Sequence, residues 1–92
     1  MSQQTQIKLE WEEKAYQKYQ TMLSKIPLFH REITKQVVKK KAPMLALERG
    51  ASFVEEEDII KAFLSEVPKA FYSLMIRLMD EVKFDYKKYE GK

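Results

Sequence analysis

Residues 26–63 read IPLFHREITKQVVKKKAPMLALERGASFVEEEDIIKAF, and this stretch decides the fold. Pro27 pushes Ile26 towards extended geometry and suits the start of a helix. A long helix is then predicted from about Leu28 to Arg49, closed by Gly50 in the left-handed conformation. On it Phe29, Ile33, Val37, Met44 and Leu47 project to one side, while Val38, Ala42, Leu45 and Ala46 project to another. Apolar residues on two faces predict a central helix sandwiched between neighbours. Pro43 cannot donate to the carbonyl of Lys39 and crowds that turn. With no turn-forming residue between Lys39 and Leu47, a single kinked helix is expected rather than two. Ser52–Val54 is a short extended link, and Glu55, Glu56, Glu57 and Asp58 open the next helix with the charge its positive end prefers.

Working outwards, residues 1–8 are polar and aperiodic, which suits a flexible arm. A first helix is predicted from about Trp11 to Lys25, with Trp11, Ala15, Tyr19, Met22, Leu23 and Ile26 on one stripe. Behind the central hairpin, Ile59, Ile60, Phe63, Leu64 and Val67 form the stripe of the third helix. Pro68 restarts the chain into a fourth, at 68–82, whose Phe71, Leu74, Met75, Leu78, Met79 and Val82 repeat at alternating three- and four-residue spacing. The last residues, 84–92, are an aromatic and basic tail expected to pack loosely or to fray. The expectation is an all-α, four-helix, single domain over 1–92, with its helical core at 11–63.

Composition narrows the function. The chain has 92 residues, room for one core but not for a deep enclosed active site as well. Its net charge of +3 gives only weak attraction to polyanions. There is no cysteine, which removes disulfides, thiolate metal sites and cysteine nucleophiles. No apolar run approaches the roughly 20 residues that span a bilayer, and the first residues, MSQQTQIK, lack the apolar segment of a secretory signal. A cytoplasmic protein is the default.

The chemically interesting residues each have a structural explanation. His30, the only histidine, has no second imidazole for a metal and sits at a helix start. The run Glu55–Asp58 lacks the alternating carboxylates and internal glycine of a calcium loop and suits a helix N-terminus. Lys39, Lys40 and Lys41, with Lys35, Arg31 and Arg49, offer a phosphate-contacting patch, but successive helical residues point about 100° apart and form no dense face. Lys40 falls near the Ile33/Met44 face, where its stem can snorkel. No phosphate loop, Ser-His-Asp set or paired-carboxylate signature is present. No catalytic residue, metal or cofactor is therefore assigned. On the fourth helix Tyr72 and Ile76 widen the apolar arc, and with Met75 and Met79 they form the expected partner-binding surface, for another protein or for a second copy.

The central stretch with Trp11 in front resembles the protochlorophyllide-reductase C-terminal domain family, found at the end of one of the polypeptides of the light-independent enzyme. The resemblance rests on Trp11 and Ala15, then Ile26, Pro27, Phe29 and Arg31, then Ala46 and Gly50, then Val54, Ile59 and Ala62. Pro43 and the fourth helix depart from that pattern. The resemblance implies a non-catalytic accessory or regulatory module, working by protein contact or by contact with a hydrophobic ligand such as a tetrapyrrole. The alternative is a histone-fold-like DNA-binding dimer, suggested by the long helix ending in ALERG, the short link and EEEDIIKAF. The mild charge counts against it and makes nucleic acid an unfavoured partner.

Overall fold

A computed structural model describes residues 9–66 and 68–88. The expected arm at 1–8, Val67 of the third helix's expected stripe and the end of the tail, 89–92, lie outside the described residues. The order is β1 (Glu10–Trp11), α1 (Glu13–Lys25), α2 (Leu28–Glu48), β2 (Phe53–Val54), α3 (Glu56–Glu66), α4 (Lys69–Val82) and a 3₁₀ turn at Tyr86–Lys88. The class is all-α, as the helical periodicities require.

One element replaces an expected helix start. Trp11 stands in an extended pair of residues, with Glu10 beside Phe53 and Trp11 beside Val54 in parallel. The Glu12 N–H adds a bond to the Val54 carbonyl (2.8 Å). Only then does α1 begin, capped by the Glu12 carboxylate, which accepts from the Ala15 N–H at 2.8 Å. The link at Ser52–Val54 is thus half of a two-stranded clasp, formed with residues far away in sequence.

Each helix end then has a visible stop. Arg31 reaches back to the C-terminus of α1, donating to the carbonyls of Ser24 (3.0 Å) and Ile26 (3.0 and 3.2 Å). Those carbonyls would otherwise lack partners. At the end of α2, Gly50 takes φ +75°. Ala51 donates to the Ala46 carbonyl and Gly50 to that of Leu47, the paired closure that a left-handed residue permits. Helix α4 closes in the same way, but with Lys83 at φ 68° in the glycine position. Between these stops α2 runs unbroken through Pro43. The Lys39 carbonyl, deprived of its N–H partner, lies on an exposed turn where water can serve it.

One cluster of buried side chains joins all four helices. Tyr19, Met22 and Ile26 enter from α1, Val38, Ala42 and Ala46 from α2, Ile59, Ile60, Ala62 and Phe63 from α3, and Met75, Leu78, Met79 and Val82 from α4. Small residues on α2 let α3 approach closely. Trp11, Tyr16 and Tyr19 form an aromatic group with centroids 5.0–5.8 Å apart, and Tyr19 also meets Phe63 at 6.2 Å.

The tail also differs from its expectation. Phe84 and Tyr86 are buried in the core rather than loosely packed. Phe84 donates its N–H to the Met79 carbonyl (2.9 Å), and the turn at Lys83 folds it back onto the bundle. Lys18 fastens this corner, donating to Glu56 (2.6 Å) and to the Lys83 carbonyl (3.0 Å) with its ammonium 5.8 Å from the centre of the Phe84 ring.

Candidate interaction site

Among the described residues, the second apolar face of α2 is left largely open, with Val37 half-buried. Phe29 is 74% exposed, Ile33 62%, Leu47 49% and Met44 42%. The expected sandwich is therefore corrected: α2 buries Val38, Ala42, Pro43 and Ala46 on one side, with Leu45 packed against the same core. Phe29, Ile33, Val37, Met44 and Leu47 fall within about 80° of one another at 100° per residue and extend about 27 Å along the axis. Stripes of large exposed apolar side chains on this scale are uncommon on isolated chains and mark contact surfaces.

The N-terminal half of the stripe borders a groove. Ile33 and Val37 form one wall with His30 and Thr34. Ala62 and Phe63 of α3 lie at its side, and Pro68, Phe71, Leu74 and Met75 close it from α4, around a volume of about 100 Å³. His30 stands at the mouth, edge-on to Phe71 with centroids 4.1 Å apart, and 4.8 Å from Phe29. The histidine thus serves as an aromatic wedge between two helices.

The helix-four surface expected from the sequence does not assemble. Met75 and Met79 are buried in the core, and only Tyr72 and Ile76 remain half-exposed. The wide arc on α4 is wide because α1 and α3 both pack on it. The residues quoted for the family resemblance also take structural positions. Ala15, Ile26, Ala46, Val54, Ile59 and Ala62 are buried, Trp11 is half-buried in the clasp, Pro27 starts α2, Arg31 caps α1 and Gly50 ends α2. Phe29 is the one large side chain among them that is largely exposed, at 74%.

The charged clusters are occupied internally. Asp58 is fully buried and holds Arg49 through two bonds of 2.8 Å. Its second oxygen also accepts from the Glu55 N–H at 2.9 Å, so the carboxylate caps α3 while bracing the end of α2. Glu55 and Glu57 lie 3.5 and 3.7 Å from the same guanidinium. Donating to the Asp58 carboxylate raises the Arg49 pKa further above its ordinary range; burial opposes it and the three carboxylates add to it. Arg31 and Arg49 are therefore committed to helix ends, which leaves Lys39 and Lys40 as the exposed cations of the expected phosphate patch. Among the described residues, no group of three or more His, Cys, Asp or Glu is placed to hold a metal ion, and no helix is long and apolar enough to cross a membrane.

The sequence carried one signal for the open face. A core stripe does not carry a lysine at its centre, and Lys40 lies between Val37 and Met44 on this one.

No curated protein and no solved structure matches the chain. The likeness to the protochlorophyllide-reductase C-terminal domain is overturned, because the family model that matches is a different one and extends over residues 3–92. Apart from Phe29, the residues behind that likeness serve this fold as capping, turn and packing positions. Nearly its whole length places the chain in another family: it belongs to the family described as protein of unknown function DUF2621.

Proposed function

We propose that this chain is a non-catalytic docking module whose working surface is the outward face of α2. The observation that carries the reading is the exposure of Phe29 and Ile33 on a helix otherwise anchored at both ends. Leaving these side chains in water forgoes about 1.5–3 kcal/mol for each that a partner could bury. The adjoining groove, about 100 Å³, is well below the roughly 300–1,000 Å³ of small-molecule sites. That room suits one inserted side chain rather than a tetrapyrrole, and it directs the reading towards a polypeptide.

The test places a photo-reactive phenylalanine analogue at position 29 or 33 of the tagged chain in its native cell. Adducts with a polypeptide, lost when the analogue is moved to the exposed Gln20 of α1, are the expected result. Equal labelling at all three positions, or no polypeptide adduct from either stripe position, contradicts it. Adducts with DNA alone would instead favour the histone-like alternative.

A further inference from the structure

Resting on that reading, we infer that the polypeptide docked on α2 is a second copy of this chain, with its own α2 laid antiparallel across the first. The stripe is Phe29, Ile33, Val37, Lys40, Met44 and Leu47, with spacings of 4, 4, 3, 4 and 3. From Ile33 onwards this is the alternating repeat of a helix-pairing seam. Read from the other end the spacings are nearly the same, so the stripe is close to its own mirror along the axis. Turned head to tail, Phe29 meets the second copy's Leu47, Ile33 meets its Met44, and Lys40 meets its Val37. The four largest apolar side chains, Phe29, Ile33, Met44 and Leu47, then each face another.

Charge chooses between the two orientations. A parallel pair sets Lys40 beside its own copy, two like charges at the centre of a seam. The antiparallel pair sets the Lys40 stem over Val37 and brings its ammonium to the turn carrying Glu32 and Gln36. Those two already bond each other at 2.8 Å, with no cation on the carboxylate within the described residues. Two such contacts form, one on each side of the twofold axis. A single lysine in an apolar seam is a device that fixes register and partner number at some cost in stability.

The area is sufficient. A standard interface buries about 800 Å² on each partner, roughly an eighth of the chain's 6124 Å² surface. Six side chains on the order of 100 Å² each, with their flanking polar neighbours, approach that value.

The experiment is sedimentation equilibrium of the purified chain over micromolar to submillimolar concentrations, with Ile33→Glu beside it. Because the chain has no native cysteine, Phe29→Cys and Leu47→Cys give unique thiols for oxidative cross-linking. A dimer is expected, with dissociation raised about 100-fold or more in Ile33→Glu, since the change occurs twice per dimer. Mixed Phe29→Cys and Leu47→Cys chains are expected to cross-link to each other. Phe29→Cys alone is not, because its two copies lie about 27 Å apart. A strictly monomeric wild-type chain, a dimer indifferent to Ile33→Glu, or efficient self-linking of Phe29→Cys overturns the inference. A monomeric chain that still forms stripe-specific adducts with a different polypeptide in cells overturns this inference alone and leaves the docking reading intact.

Discussion

Helices α2 and α4 invert each other's sequence promise. Helix α4 carries the cleanest amphipathic repeat in the chain and an apolar arc wide enough to suggest an outward-facing partner surface. In the fold that arc is consumed, with Met75, Leu78, Met79 and Val82 all in the core. Helix α2 has its apolar residues split between two sides, the usual mark of a helix enclosed by neighbours. Among the described residues only one side is covered. Periodicity states which side chains share a face; whether a neighbour reaches that face depends on where the other helices end. Here α1 is turned back by Ile26-Pro27 and α4 lies across α1 and α3, so no described element covers Phe29 and Ile33.

This contrast can be broken most severely at the closed side of α2. Arg49→Ala strands the buried Asp58 carboxylate and is expected to cost about 3–5 kcal/mol, read by urea denaturation. An unchanged midpoint would mean that the end of α2 is held some other way. On α4, Met79→Ala should cost about 3 kcal/mol, the usual loss for an enclosed methionine. A cost under about 0.5 kcal/mol, typical of surface sites, would return that residue to the exterior. Lys83→Gly is expected to stabilise the chain by about 1 kcal/mol, because it relieves a left-handed residue bearing a side chain.

A pH series sharpens the comparison from the side of α1. Burial, then the neighbouring Tyr16 and Glu32, raise the Tyr19 phenol above its ordinary value. A raised pKa in the fold means a contribution fully present below the unfolded value of about 10 and lost as pH rises beyond it. Melting followed by circular dichroism should therefore be level up to about pH 9 and fall above it. Tyr19→Phe should flatten that fall while costing about 1 kcal/mol or less at pH 7, because its hydroxyl reaches the Lys35 carbonyl only at a long 3.4 Å. An identical alkaline fall in both proteins would assign it to another group. The smallest effect is on the open face: Ile33→Ser should change monomer stability by no more than about 0.5 kcal/mol. A larger loss would show the face to be packed.

Much of the architecture was legible locally. Gly50, the acidic start of α3 and the helix starts at Pro27 and Pro68 are short-range signals, each governed by neighbouring backbone groups. The role of Arg31 was not legible, because it depends on two carbonyls brought near only when α1 and α2 form a hairpin. The clasp of Glu10–Trp11 with Phe53–Val54 was equally hidden, since two residues carry no period and their partners are about 40 positions apart. Lys18 and Phe84 show the same limit. As for the interaction site, its face could be drawn from spacing alone, and Lys40 marked it as unsuited to a core. Its exposure could not be drawn, because that is a property of the missing neighbour.

The central claim is that the α2 stripe is open in the single chain and covered in the working state. Thiol reactivity of Phe29→Cys, measured against total protein concentration with Gln20→Cys on α1 as the reference, addresses it directly. Protection at position 29 that grows with concentration, while position 20 reacts at a constant rate, is the predicted result. Constant, rapid reaction at position 29 across the whole range would contradict coverage by a second copy, and slow reaction even at high dilution would contradict the open face itself.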